Sequence, residues 1–296
     1  MTPSPGPDAP PPRIGVVTVA YRSMEVLPAF LQSLATASDE PLAVVVADNE
    51  PTDPATRALA EAHGAGYVAL PSNPGYGTAA NAAAAALPAS VEWVLVANPD
   101  VAFEPGSIDA LLAAGAAEAS IAAVGPAVLN ADGTVYPSAR SIPSLRTGVG
   151  HALFANIWRG NPWTRRYTVA TDEEPAARDA GWLSGSCVLV RRAVYDELGG
   201  FDEGYFMYFE DVDLGFRIGR AGYRSRYEPA ARVTHLGAHS TTDESARMIR
   251  AHHDSARRFL RAKYRGWWLW PVRAALSGGL RLRSAWVARR ATRRTG

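Results

Sequence analysis

A single cysteine in 296 residues excludes an internal disulfide and fits a reducing compartment. That residue, Cys187, lies in the apolar stretch 185–190, where a small buried core position is the simpler reading than a nucleophile. No Gly-x-Gly-x-x-Gly follows the first apolar run, which disfavours a dinucleotide site. No stretch approaches the ~20 apolar residues needed to span a bilayer. Residues 2–12 are mostly proline, polar or acidic and hold no apolar run; they read as a flexible leader rather than a secretion signal, so the expectation is a cytoplasmic protein. From residue 255 onward there is neither Asp nor Glu.

What the chain does contain is a globular composition, 47% hydrophobic and 20% charged, and enough length for one large domain or two small ones. The net charge of +1 hides an asymmetry: twelve Lys and Arg fall in the acid-free segment 255–296, while the remaining 18 basic residues face 29 acidic ones. Interleaved with the tail's cations are Tyr264, Trp267, Trp268, Trp270 and Trp286. Aromatics among cations suit an anionic lipid interface better than a nucleic-acid groove, and the expectation is a peripheral attachment to the inner face of the plasma membrane with no nucleic-acid partner. The plainer alternative is a C-terminal helical pair whose aromatics pack on the rest of the protein.

Apolar runs at 14–20, 42–47, 66–70 and 93–97 alternate with helical periodicity at 24–37, 53–63 and after Gly77, the pattern of a doubly wound, mostly parallel α/β sheet covered on both faces. The alternation stops near 130, where Asn130-Ala131-Asp132-Gly133-Thr134 reads as a hairpin turn. Residues 137–180 read as an irregular binding loop or lid. A strand over 182–190, a short helix over 191–198, a helix over 210–221 closed by Gly222, and two short strands at 224–228 and 231–235 follow. From about 243 the pattern is helical and basic.

Carboxylates recur where strands end. Asp48 follows the second strand and Asp100 follows the strand at 93–97, the edge at which open α/β sheets bind ligands. For Asp48 the bland alternative is a helix cap. Asp100 has the hard oxygen donors that a divalent ion shared with phosphate requires, and His235 follows a late strand from which it could join the same ion. His63, His151, His239, His252 and His253 show no spacing that makes a metal site. Asn73-Pro74-Gly75-Tyr76-Gly77 precedes a helix and has the look of a phosphate-approach loop. Glu210 and Asp211 sit between aromatics and a helix start, a setting that can hold a base, with a cap role open for Glu210 and Asp213.

Seven segments occur in one order: Val17-Thr18-Val19-Ala20-Tyr21; Ala47-Asp48-Asn49; Asn73-Pro74-Gly75-Tyr76-Gly77 with Asn81; Asn98-Pro99-Asp100; Trp182-Leu183-Ser184-Gly185-Ser186; Gly199-Gly200-Phe201-Asp202-Glu203; and Phe209-Glu210-Asp211-Val212-Asp213-Leu214, followed by residues 235–240. With them the chain resembles the inverting family 2 glycosyltransferases of GT-A fold over roughly residues 13–240, most like the bacterial rhamnosyltransferases that use dTDP-L-rhamnose.

The resemblance implies a nucleotide-sugar-binding half at 13–130, an acceptor-binding half at 131–240 and a helical basic region at 241–296. Thr18, Ala20 and Tyr21 would line the nucleotide pocket, with Asp48 and Asn49 at the base and Asn73, Gly75, Gly77 and Asn81 near the ribose and diphosphate. Asp100 and His235 would hold Mg2+ or Mn2+; Asn98 stands where many relatives carry a first Asp, so the site has less negative charge. Trp182, Ser184, Gly185 and Glu210 would face the acceptor, a polyprenyl-diphosphate-linked sugar or cell-surface glycan, and Asp211 would be the base, ionised at its helix N-terminus. UDP-galactofuranose and GDP-mannose are alternative donors. A silent nucleotide-sugar or glycan-binding module is the alternative of a different class.

Overall fold

The computed structural model describes residues 10–144, 176–237, 245–271, 274 and 278. The greater part of the expected loop at 137–180, the histidines 151 and 239, and the tail beyond 278 lie outside the described residues. One mixed sheet organises the molecule. Its first half is parallel: β1 (Ile14–Ala20), β2 (Leu42–Asp48), β3 (Gly66–Ala69) and β4 (Trp93–Ala97) lie in the order β3-β2-β1-β4.

These strands are near-continuous apolar runs because helices cover both of their faces. Alternation along β1 sorts the core into two layers. Ile14, Val16 and Ala20 pack with Leu27, Phe30, Leu31 and Leu34 of α1 (Leu27–Ala37), whose i, i+3, i+4, i+7 spacing forms one apolar stripe. Val17 and Val19 pack with Ala79, Ala80, Ala83 and Ala84 of α3 (Tyr76–Ala85). Helix α2 (Pro54–Ala62) is capped by Asp53, whose side chain accepts the Ala55 N–H at 2.9 Å, so Asp48 is not the cap.

Beyond β4 the sheet is built out of sequence order. β5 (Val101–Phe103), α4 (Ser107–Ala116) and β6 (Ile121–Asn130) come next in the chain, and the expected turn at 130–134 joins β6 to β7 (Val135–Tyr136), with Asn130 N–H donating to the Thr134 carbonyl at 2.8 Å. β8 (Ala139–Arg140) leads to the undescribed segment and β9 (Arg178–Ala180) leaves it.

The expected single strand at 182–190 is two strands in different sheets. β10 (Trp182–Leu183) pairs with β8, whereas β11 (Cys187–Arg191) inserts antiparallel between β4 and β6. Ser184, Gly185 and Ser186 make the break, and an apolar run bridged by small residues does not reveal it. After α5 (Arg192–Glu197) and α6 (Glu210–Arg220), the two strands expected at 224–235 form one strand, β12 (Arg224–His235), interrupted by an irregularity between Glu228 and Arg232. β12 runs parallel to β6 and antiparallel to β5. The chain continues into α7 (Ser245–Lys263) and a 3-10 turn at Trp267–Leu269.

Candidate active site

The C-terminal ends of β1, β2 and β4 share one edge of the sheet, and the candidate residues divide according to how far past that edge they lie. Thr18 pairs with Val46 and Ala97 in mid-sheet and is 0% exposed, with its hydroxyl unpartnered; Ala20 is also buried. Both are covered because helices pack on the two faces of a central parallel strand. Tyr21, one residue further on, stays partly exposed.

At the end of β2, buried Asp48 accepts the Tyr67 hydroxyl and the Glu50 N–H, both at 2.9 Å. Burial, and then the hydrogen bond to Asp48, push the Tyr67 hydroxyl up to about 12. Asn49 is buried with its Oδ1 unpartnered and its amide nitrogen 3.4 Å from the Gly75 carbonyl.

The glycines of the 73–77 loop face protein. Gly75 has φ +102°, and a Cβ there would sit 2.3 Å from the Phe206 carbonyl oxygen; a Cβ at Gly77 would sit 2.9 Å from that of Phe201. Asn81 is used up locally: its Oδ1 accepts the Tyr195 hydroxyl and the Phe201 N–H, and its amide nitrogen donates to the Phe201 carbonyl and Glu203. The expected ribose and diphosphate floor is therefore, at these positions, a seam that fixes residues 200–210. Gly75→Ala is expected to lower stability by ~1–3 kcal/mol through strain at positive φ, more if Phe206 cannot retreat. Urea unfolding of the variant checks this; an unchanged midpoint would remove the seam from the argument.

That seam carries the candidate base, Asp211. Tyr208 and Phe209 both adopt left-handed backbone conformations, φ 68° and 69°, immediately before α6. Such strain in bulky residues persists only where the surroundings enforce it, and here His252 of α7 packs edge-on against both rings at 5.5 and 5.4 Å. The turn sets Glu210 and Asp211 side by side at the helix N-terminus. Asp211 is partly accessible; its Oδ2 accepts the Gly185 N–H at 3.0 Å and its Oδ1 the Val212 N–H at 2.7 Å. Glu210 is 7% exposed and its Oε2 has no partner.

Burial, with the Asp211 charge adding to it, pushes Glu210 up to about 8. Burial also raises Asp211, against the two N–H donors and the Arg140 guanidinium, which pull it down. The two carboxyls act as a pair, with the proton resting on the unpartnered Glu210 and the charge on the hydrogen-bonded Asp211, in keeping with the expected ionised Asp211.

A stability test follows. Glu210 binds its proton more tightly folded than unfolded, so its burial costs nothing below its ordinary 4.5, costs more as pH rises towards about 8, and is constant beyond. Glu210→Gln should therefore gain melting temperature over the parent progressively across that window. A pH-independent difference would show that Glu210 carries no such penalty.

Asp100 and His235 meet through strand register. β5 and β12 pair with Val101 opposite His235, and the Leu236 N–H donates to the Asp100 carbonyl at 3.0 Å. Asp100 Oδ1 lies 3.1 Å from His235 Nε2, yet the ring nitrogen is not aligned for a hydrogen bond and is otherwise unpartnered. Two donors ~3 Å apart that do not bond each other match neighbouring ligands of an octahedral ion with bonds of ~2.1 Å. Among the described residues no third His, Cys, Asp or Glu completes a cluster, so an ion here would draw its remaining oxygens from substrate or water. Asn98 is half-buried, its N–H donating to the Ser186 carbonyl at 2.9 Å.

Of the residues expected to face the acceptor, Trp182 donates its indole N–H to the Ser141 carbonyl and Ser184 pairs hydroxyls with Ser186. Two participants escape sequence reasoning. The Tyr76 hydroxyl donates to the Gly185 carbonyl at 2.8 Å, the other end of the residue that holds Asp211. Arg140 stacks over Tyr136 and Trp182, and its charge pulls the Asp211 carboxyl down. No spacing signals either, since strand β8 and the break at 184–186 are needed to bring them in.

The family model described as glycosyltransferase like family 2 matches residues 11–253. The chain belongs to that family. It is 46% identical over 290 residues, 95% of this chain and 94% of the relative, to an N-acetylglucosaminyl-diphospho-decaprenol L-rhamnosyltransferase of Mycobacterium tuberculosis. It is 40% identical over 82 residues to the rhamnosyltransferase WbbL of Escherichia coli, covering 28% of this chain and 31% of that one.

Among solved structures it is similar to the mannosyltransferase PcManGT of Pyrobaculum calidifontis in complex with GDP-Man and Mn2+. The TM-score is 0.56 with 19% identity, over 96% of this chain and 76% of that one. It also resembles GalNAc-T7 with UDP, GalNAc and Mn2+, with TM-score 0.53 and 13% identity over 77% and 43% of the two chains. These neighbours share the α/β fold. The protein is a glycosyltransferase.

Proposed function

We propose that this glycosyltransferase moves L-rhamnose from dTDP-L-rhamnose to a hydroxyl of an N-acetylglucosaminyl-diphospho-polyprenol, with inversion at the anomeric carbon and at the inner face of the plasma membrane. The observation that carries the reading is the 46% identity to the mycobacterial rhamnosyltransferase across nearly the whole of both chains. The paired carboxyls at the start of α6 and the Asp100–His235 pair fit it.

In this reading Asp48, with Tyr67 and Asn49, meets the pyrimidine base at the end of β2. Asp100 and His235 hold a divalent ion, Mg2+ or Mn2+, whose charge would offset that developing on the departing diphosphate. Asp211 receives the proton of the attacking hydroxyl as the new carbon–oxygen bond forms and the bond to the diphosphate breaks. That proton becomes acidic only late, so a carboxylate suffices. Gly185 and Val212 N–H groups keep Asp211 charged and aimed, and neutral Glu210 keeps the pair from carrying two charges in one buried place.

The test is a donor screen, dTDP-, UDP- and GDP-sugars against a soluble N-acetylglucosaminyl diphosphate acceptor, with released nucleotide measured. Turnover with dTDP-L-rhamnose supports the reading. Preference for UDP-galactofuranose or GDP-mannose reassigns the donor, and absence of both transfer and donor hydrolysis would leave a binding module.

A further inference from the structure

Among the described residues, the acid-free C-terminal segment holds the end of an anchored helix and an exposed turn. Phe259 of α7 is 1% exposed and packs with Tyr205, Val212, Phe209 and Phe216. Arg258 forms a forked ion pair with Asp202, and the Ser255 hydroxyl donates to the Met207 carbonyl at 2.8 Å. These contacts fall on residues 202–216, the segment that carries Glu210 and Asp211. α7 is therefore a strut of the base-bearing loop.

Directly beyond it the burial pattern reverses. Trp267, Trp268 and Trp270 are 78%, 65% and 62% exposed, three of the four exposed large hydrophobic side chains among the described residues. Their arrangement is fixed locally: the Trp267 and Trp268 rings meet edge to face at 6.3 Å, and Gly266 lies against the Trp268 ring. Exposed Arg261 and Arg265 flank them, and no carboxylate side chain occurs from residue 255 to the end of the sequence.

We infer that the turn Trp267–Trp270 is an interfacial docking surface for an anionic bilayer, and that α7 holds it in fixed relation to the catalytic base. Indole rings favour the level of lipid headgroups, and arginines beside them are drawn to anionic ones. A protein partner of matching chemistry would need an acidic rim around an apolar patch; an anionic leaflet supplies both at once. The inference rests on the proposed lipid-linked acceptor for its purpose, but not for its evidence. It also changes the tail's role from a detachable appendage: a cut before Phe259 would strip the base loop of its support, so substitution of the tryptophans is the appropriate probe.

The experiment compares the full chain with the triple variant Trp267→Ala, Trp268→Ala, Trp270→Ala, using phosphatidylcholine vesicles with and without phosphatidylglycerol. The parent should co-sediment with anionic vesicles and show blue-shifted tryptophan emission. The variant should lose at least ~10-fold in partitioning, since three indoles no longer leave water, while transfer to a soluble acceptor stays at the parent level. Use of a polyprenyl-linked acceptor in vesicles should fall with the partitioning. Equal vesicle binding by parent and variant, or none by the parent, overturns the inference. A parent dimer that dissociates on substitution without vesicle binding assigns the patch to a second copy and also overturns it. Loss of transfer to soluble acceptor by the parent, with vesicle binding intact, would instead overturn the proposed reaction.

Discussion

Asp211→Asn is expected to lower transfer by at least the ~100-fold characteristic of a lost general base, with donor affinity near that of the parent. The amide keeps the size of the side chain, and its oxygen can still accept the Gly185 N–H that holds the loop at 184–186, while the Val212 N–H at the start of α6 loses its acceptor. What disappears is the one carboxylate of the pair that is both hydrogen-bonded and accessible to an incoming hydroxyl. Glu210 is the competitor, and its geometry argues against it: it is buried, its outer oxygen is unpartnered, and its proton is retained up to about pH 8. Steady-state rates with soluble acceptor, alongside donor binding by calorimetry, decide the matter. Near-normal turnover in Asp211→Asn with collapse in Glu210→Gln would exchange the two roles.

Asp100→Ala should have the second-largest effect. Asp100 is the only acid in the Asn98-Pro99-Asp100 segment, and among the described residues only His235 joins it. With so few protein donors, losing one should raise the divalent-ion concentration for half-maximal activity by at least ~100-fold, beyond the 10–100-fold seen when mere supporting groups are removed. Donor diphosphate affinity should fall with it. His235→Ala should act in the same direction, more mildly. Titration of activity and of donor binding with Mn2+ and Mg2+ measures both, and undiminished activity of the parent in EDTA would contradict the assignment.

The strand ends were legible in the sequence because a covered parallel strand is a continuous apolar run, and the residue that stops the run is conspicuous when it is a carboxylate. Asp48 and Asp100 were found that way. Thr18 and Ala20 lie in the same kind of run, which carries no mark of how deeply each residue is buried, and both are buried. The helix carrying Glu210 and Asp211 was plain from its amphipathic spacing, but the sharing of a proton between them was not. It depends on burial contributed by residues distant in sequence and on N–H donors from Gly185. The glycines of the 73–77 loop looked like ligand-approach residues because close approach of any kind selects glycine; only the structure shows that the approaching groups are Phe206 and Phe201.

The place of β11 in the sheet bears on how the protein comes to be folded. β4 and β6 end and begin about 24 residues apart in the chain, yet they are not neighbours; residues 187–191 lie between them. Until those residues have left the ribosome, the segment up to residue 130 presents β4 as an unpaired apolar edge, the kind of surface that invites aggregation. Closing the sheet then requires contacts across 65 to 98 residues of chain, the long-range pairing that slows folding. Strands β1 to β4 and the segment carrying Glu210 and Asp211 therefore come together only once residues 187–191 are available, and a nascent chain long enough to contain Asp48 and Asp100 still has β4 unpaired on one side.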